Sequence, residues 1–285
     1  MPAAALSLWS VGSRANAMRS PFVPMYFPAR FARPATLAWD SFKILLIWAA
    51  ATGPMAILVW GVAPQLIRSD DPMPGLVFWR LVVAGMVWQL VLSLLILKLE
   101  GVPFRPYTLA RRLWLTSPIW RPSGKPMVLA FLLVPAFVAL GFVGDDLVTR
   151  LFQATPIGLH LLEMAPAYAD IRTLDVPAAS GRWDILGLAL VSSLFNYLLG
   201  EALLFHGVLL PRMEKAWGRW AWLGNGLLFA AYHAHKFWLM PGLVISCLCY
   251  SLPAQAFRSN WLAVLIHGLE GVVLIVAVTA VILQP

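Results

Sequence analysis

Charge is what this sequence has least of. Only 12% of its 285 residues are Asp, Glu, Lys or Arg, against 60% hydrophobic, and mean hydropathy is +0.77. A soluble domain carries roughly 25% charged residues, so this chain cannot cover a water-facing surface. The shortage excludes a disordered chain, a nucleic-acid-binding module built on basic stripes, and nearly every water-soluble enzyme. Cysteine is almost as scarce, with Cys247 and Cys249 alone. Two residues apart on a helix, they point about 200° from each other and cannot form a disulfide. They read as reduced packing residues. No internal repeat or low-complexity tract is visible.

Long apolar runs are what the chain has instead. A spanning helix needs about 20 mostly apolar residues, and the candidates are 44–67, 76–97, 127–143, 185–210, 220–238, 241–256 and 261–283. The sixth is short and bounded by Pro241 and Pro253, so it is expected to be tilted or broken. Residues 154–169 carry His160, Glu163 and two prolines, and read as an interfacial helix. The predicted fold is all-α: a polytopic transmembrane bundle of about seven spans plus an interfacial helix. Its expected parts are an N-terminal tail over 1–43, transmembrane helices over 44–150, a non-cytoplasmic segment over 151–184 and a polar-bearing transmembrane core over 185–285.

The net charge of +8 follows this layout. Residues 1–43, 98–126 and 211–219 are basic, and Arg258 sits in the last short loop, whereas 144–184 holds three Arg against six acids. Basic loops at every second position place the N-terminus in the cytoplasm and, with seven spans, the C-terminus outside. The first forty residues lack the pattern of a signal peptide. They read as a cytoplasmic tail or an over-long start, with Met18 and Met25 as alternative initiators. Trp60, Trp79, Trp220 and Trp261, near span ends, are expected to be interface anchors.

Scarcity makes the remaining ionisable residues informative. Glu201 and Glu270 are the two acids inside predicted spans; His206, His233 and His267 lie inside spans, and His235 lies near the end of one. Each such group at the bilayer centre costs about 2.5–3.5 kcal/mol on insertion scales, and a shared buried polar site is the simplest reason for gathering them. At 1.5 Å per residue, Glu201, His233 and His267 lie about 14, 20 and 9 Å from the cytoplasmic face, which suits one cavity open to the cytoplasmic half. Tyr197 precedes Glu201 by one turn and can hydrogen-bond toward it. His206 falls about 140° around, off that face. Asn225 lies two turns before His233. His233 and His235 diverge by about 200°, so at most one faces the site. Glu270 sits beside His267.

Three stretches resemble the motifs of the CAAX protease and bacteriocin-processing (CPBP, or Abi) family of intramembrane proteases. Glu201-Ala-Leu-Leu-Phe-His-Gly207 resembles Glu-Glu-x-x-Phe-Arg-Gly, Phe229-Ala-Ala-Tyr-His233 resembles Phe-x-x-x-His, and His267-Gly-Leu-Glu-Gly271 resembles His-x-x-x-Asn or His-x-x-x-Asp. The resemblance covers about 185–280. It departs from the pattern at Ala202, His206 and Gly271, where the family has Glu, Arg, and Asn or Asp. It implies that Glu201, His233 and His267 are catalytic, with Glu270, His206, Asn225 and Tyr197 in support.

The implied activity is hydrolysis of a peptide bond in a membrane-associated or lipidated protein or peptide. Glu201 would be the general base, His233 would hold the water, and His267 would stabilise the oxyanion. A zinc variant is equally open, with Glu201, His233 and His267 as metal ligands and a fourth position free. The expected partners are the lipid bilayer and a peptide substrate, with no nucleic acid. The expected location is a bacterial inner (plasma) membrane. Two other readings compete: a family member that binds a peptide or confers immunity without cutting, and, more remotely, a transporter with a carboxylate relay.

Overall fold

In a bilayer, every backbone N–H and C=O must be satisfied within its own segment, so apolar runs fold as helices. A computed structural model of the chain describes residues 34–284, and most of the predicted tail over 1–43 lies outside the described residues. Helix α1 (Pro34–Ala56) continues through a π-turn at Ile57–Val62 into α2 (Ala63–Leu66). Next come α3 (Pro74–Leu99), α4 (Pro106–Arg112) and a small hairpin of β1 (Ile119–Trp120) with β2 (Lys125–Pro126). Helix α5 (Val134–Gln153) and the short α6 (Pro156–Glu163) lead to a run of 3-10 turns over Ala167–Ala179. The last third contains α7 (Trp183–Leu194), α8 (Leu210–Trp217), α9 (Ala221–Tyr232), α10 (Met240–Ala256) and α11 (Asn260–Ile282).

Five helical segments among the described residues are long and apolar enough to cross a membrane. One of them, Trp183–Ala256, contains three of the predicted spans. Breaks at Gly200, Gly218 and Lys236 divide it. Helix α10 is continuous rather than broken: Pro241 falls in its first turn, where no N–H is needed. Helix α5 outruns its predicted span by ten residues, ending at Gln153 rather than 143, and carries Asp145 with it. There the Asp145 carboxylate accepts hydrogen bonds from Thr149 (3.1 Å) and Ser246 of α10 (3.2 Å). Of the predicted interfacial helix, Pro156–Glu163 is α-helical, capped where Thr155 Oγ1 accepts from Gly158 N at 3.1 Å.

Lipid is as apolar as leucine, so these helices associate through close packing and hydrogen bonds. Gly242 lets α10 approach α5 at Asp145 and Thr149 so closely that no Cβ fits. Indole N–H groups join other elements: Trp48 donates to the Leu228 carbonyl at 2.7 Å, and Trp79 to Ser192 Oγ at 3.0 Å. Trp79 is therefore a buried link between α3 and α7 rather than an interface anchor, whereas Trp220 is 55% exposed. Cys247 and Cys249 are buried free thiols.

The two ends of the bundle differ in charge. At one end the basic loops meet: Glu100 pairs with Arg112 and Arg212, and Glu214 with Arg121 and Arg258. Burial pushes the Glu100 carboxyl up, but Arg112 and Arg212 outweigh it and hold the group below its ordinary range. At the other end, Gly181 N donates to the Ile282 carbonyl at 2.9 Å and Gln284 Nε2 to Asp175 at 2.9 Å. The basic loops thus gather at one end, and the acidic 144–184 segment meets the end of α11.

Candidate active site

The polar residues of the last third sit where the helix winding is irregular. The span from Trp183 leaves α-geometry at Phe195–Leu199 and again at Ala202–Leu209, both π-helical, with Gly200 and Glu201 between them. A Cβ on Gly200 would lie 2.7 Å from the Met86 carbonyl oxygen, so glycine allows this break to rest directly on the backbone of α3. Glu201 follows immediately and is 3% exposed. π-Bulges are frequent at functional sites.

Helix α9 ends at Tyr232, and His233–Leu239 continues as a 3-10 stretch with non-helical backbone at Lys236. This places His233 opposite Glu201, with Nε2 3.8 Å from Glu201 Oε2. His233 Nδ1 lies 2.9 Å from the Phe229 carbonyl. A carbonyl only accepts, so Nδ1 carries the proton, and Nε2 of the neutral ring presents a lone pair toward Glu201. Because α-geometry stops at Tyr232, His235 does not diverge from His233 as a regular helix requires. The two rings lie 5.5 Å apart, and both line the same cavity.

That cavity, of about 230 Å³, is walled by Trp79, Asn196, Tyr197, Glu201, His233 and Lys236 among others. The wall also includes Tyr168–Asp170 and Leu174, from the segment between α6 and α7. Among the residues of its wall, Glu201 Oε2, Asn196 Oδ1 and His235 Nδ1 are buried with no hydrogen-bond partner. Behind the wall, Tyr232 lies beside both Glu201 and Gln89. An orphaned buried polar atom is costly, and three on one wall suit a polar ligand.

The other expected residues lie around this centre in different roles. Tyr197 shares the cavity wall with Glu201 without bonding it, and its ring meets His267 edge-on at 4.7 Å. His267 is not among the residues lining the cavity. It stacks on Tyr250 at 4.5 Å, and its Nδ1 is unpartnered. Glu270 accepts a hydrogen bond from the Tyr250 hydroxyl, so it reaches His267 through the Tyr250 ring rather than directly. His206 and Asn225 form a polar link below Phe229. His206 Nδ1 lies 3.1 Å from Asn225 Oδ1, and Asn225 Nδ2 donates to the Phe205 carbonyl at 2.8 Å.

Zinc needs three protein donors around one point. Among the described residues no three His, Cys, Asp or Glu side chains converge in that way. Glu201 and His233 supply two facing donors, and His267 stands apart. This donor set does not fit a zinc ion.

Sequence reasoning missed Lys236, Tyr232, Tyr250 and Gln89. The same scarcity rule that found Glu201 applies to Lys236 and Gln89, since both fall inside predicted spans. Nothing in the sequence distinguishes Tyr232 and Tyr250 from other aromatic residues of an apolar helix.

Residues 182–273 match the family model described as type II CAAX prenyl endopeptidase Rce1-like. No curated protein and no solved structure matches the chain. The matched segment contains Glu201, the His233 turn and the first half of α11, and it joins three family-like motifs on an apolar helical bundle. Over residues 182–273 the chain is thus similar to the type II CAAX prenyl endopeptidase family, in agreement with its three motifs.

Proposed function

We propose that this integral membrane protein hydrolyses a peptide bond in a membrane-associated or lipidated substrate, with Glu201 as general base and His233 as its partner. The observation that carries the reading is the pair itself: a buried carboxylate oxygen without a partner, 3.8 Å from a ring nitrogen whose lone pair faces it. Two acceptors at that spacing suit one water donating a hydrogen to each. Glu201 takes one proton as the water oxygen attacks the scissile carbonyl, then delivers it to the departing amine as the C–N bond breaks. The His233 lone pair orients the water, and the Phe229 carbonyl fixes the tautomer that makes this so.

With the basic loops in the cytoplasm, the segment carrying Tyr168–Asp170 lies on the other side of the membrane, and the peptide reaches the cavity past it. A second reading, a peptide-binding protein that does not cut, draws on the position of His267 behind Tyr197. Purified protein incubated with a quenched peptide library, compared with Glu201→Gln and His233→Ala, separates the two. The hydrolytic reading expects both variants to fold and lose at least 10²-fold in rate, the lower end of general acid–base contributions. Cleavage retained in either variant sinks the assignment.

A further inference from the structure

The hydrolytic reading leaves one requirement without a residue. Attack on the carbonyl moves its π pair onto oxygen, and that oxyanion forms beside carboxylates in a place sheltered from water. In acyl-transfer catalysis, a fixed donor aimed at such developing charge usually contributes more than any other single effect. His267 lies one ring away from the cavity, behind Tyr197, and Gly271 offers no side chain.

Lys236 is placed differently. It is the only Lys or Arg among the residues lining the cavity, and it shares that wall with Glu201 and His233. Its backbone is the non-helical point of the His233–Leu239 stretch, with φ −129° and ψ 44°, which turns it out of the α9 line. It makes no hydrogen bond or ion pair with another described residue. Asp170, the other acid of the wall, is already held by Arg172. Lys236 also lines an adjoining outer cavity of about 940 Å³, which shares Ala169 and Asp170 with the inner one. A lysine thus stands at the threshold between the two spaces, on the wall it shares with Glu201, with its donors uncommitted.

From this placement we infer that Lys236 is the oxyanion donor of the reaction proposed above. The water oxygen bonds to the carbonyl carbon, Glu201 accepts the water's proton, and the oxygen that gains the π pair is met by the Lys236 ammonium. When the carbonyl re-forms, the pair returns, the C–N bond breaks and the proton on Glu201 goes to the amine. Lys236 neither gains nor loses a proton in the cycle. The inference rests on the hydrolytic reading, and its test separates the two.

The experiment uses full-length protein in lipid nanodiscs and a peptide that wild type cleaves and Glu201→Gln does not. The pH profiles of kcat and KM are then taken for wild type, Lys236→Met and Lys236→Gln. Loss of one oxyanion donor lowers kcat by roughly 10²–10³-fold. The expected result is a plateau lowered by that factor in Lys236→Met, at least ten-fold in Lys236→Gln, with KM little changed. A plateau at the wild-type level with only the acid limb displaced would mean that Lys236 merely balances Glu201, and would overturn the inference. An unchanged kcat with a raised KM would overturn it too, assigning Lys236 to ground-state binding.

Phosphonopeptides, which carry tetrahedral anionic oxygen, put the question without turnover. Relative to the matching amides, they should bind at least ten-fold more weakly to Lys236→Met and Lys236→Gln than to wild type; equal loss for both ligand types refutes the inference. Wild type and Glu201→Gln alike inactive toward every peptide would instead refute the hydrolytic reading.

Discussion

Gly271 stands where the family has Asn or Asp, and the structure gives a steric reason that can be tested. A Cβ built on Gly271 would lie 2.8 Å from Tyr197 Cδ2 and closer still to Cε2. Three residues earlier on the same helix, a Cβ on Gly268 would meet only Tyr197 Cβ, at an ordinary 3.7 Å. Replacing an interior helical glycine by alanine gains about 0.8–1.0 kcal/mol in helix propensity. That gain is common to both positions and cancels in their difference. What remains is the overlap with the Tyr197 ring, and overpacking of this kind costs about 1–3 kcal/mol. Gly268→Ala should be neutral or stabilising, and Gly271→Ala should be less stable than it by about 1–3 kcal/mol.

Tyr197→Ala removes the obstacle, so in that background the two alanine variants should agree within about 0.5 kcal/mol. Reversible unfolding in mixed detergent micelles, followed by tryptophan fluorescence or far-UV circular dichroism, measures all six proteins. The reasoning fails if Gly271→Ala matches Gly268→Ala in the wild-type background. It fails equally if their difference survives the loss of Tyr197.

Asn225→Ala leaves the Phe205 carbonyl and His206 without their partner. It should cost about 1–3 kcal/mol in the same unfolding assay. Glu100 sets a pH dependence at the basic end, where its folded-state pKa is held below the ordinary carboxylate range. Its contribution is therefore fully present above the unfolded-state value, near about 4.3, and is lost as pH falls through the lower folded value. Glu100→Gln should flatten that acid-side decline in stability between about pH 5 and pH 3. An unchanged slope would show that the Arg112 and Arg212 pairing carries no linkage.

The architecture is readable from the sequence because its signals are long. Seven apolar runs and the alternation of loop charge need only composition averaged over many residues, and the structure returns a membrane-type helical bundle whose ends sort by charge. What fails to transfer is geometry that assumes regular winding. The angle between His233 and His235 holds for an α-helix, and that helix ends one residue before His233. Lys236 escapes notice because it falls near a span end, where a lysine ordinarily snorkels toward water. Trp79 looks like an anchor by its position in the run, whereas its N–H is taken by Ser192 across the bundle. Partners on distant segments are invisible to local periodicity.

The winding around Glu201 also governs how this stretch tolerates change. Helical stretches closed by i→i+5 bonds hold one residue more per closed loop than an α-helix does, and two of them flank Gly200 and Glu201. Substitutions here alter single side chains. A deletion acts differently: taking one residue from 202–209 removes the extra residue that a wide turn holds and lets the stretch close with i→i+4 bonds. The wide winding around Glu201 would be lost with it. Chain length in this stretch sets the winding, which no side chain alone restores.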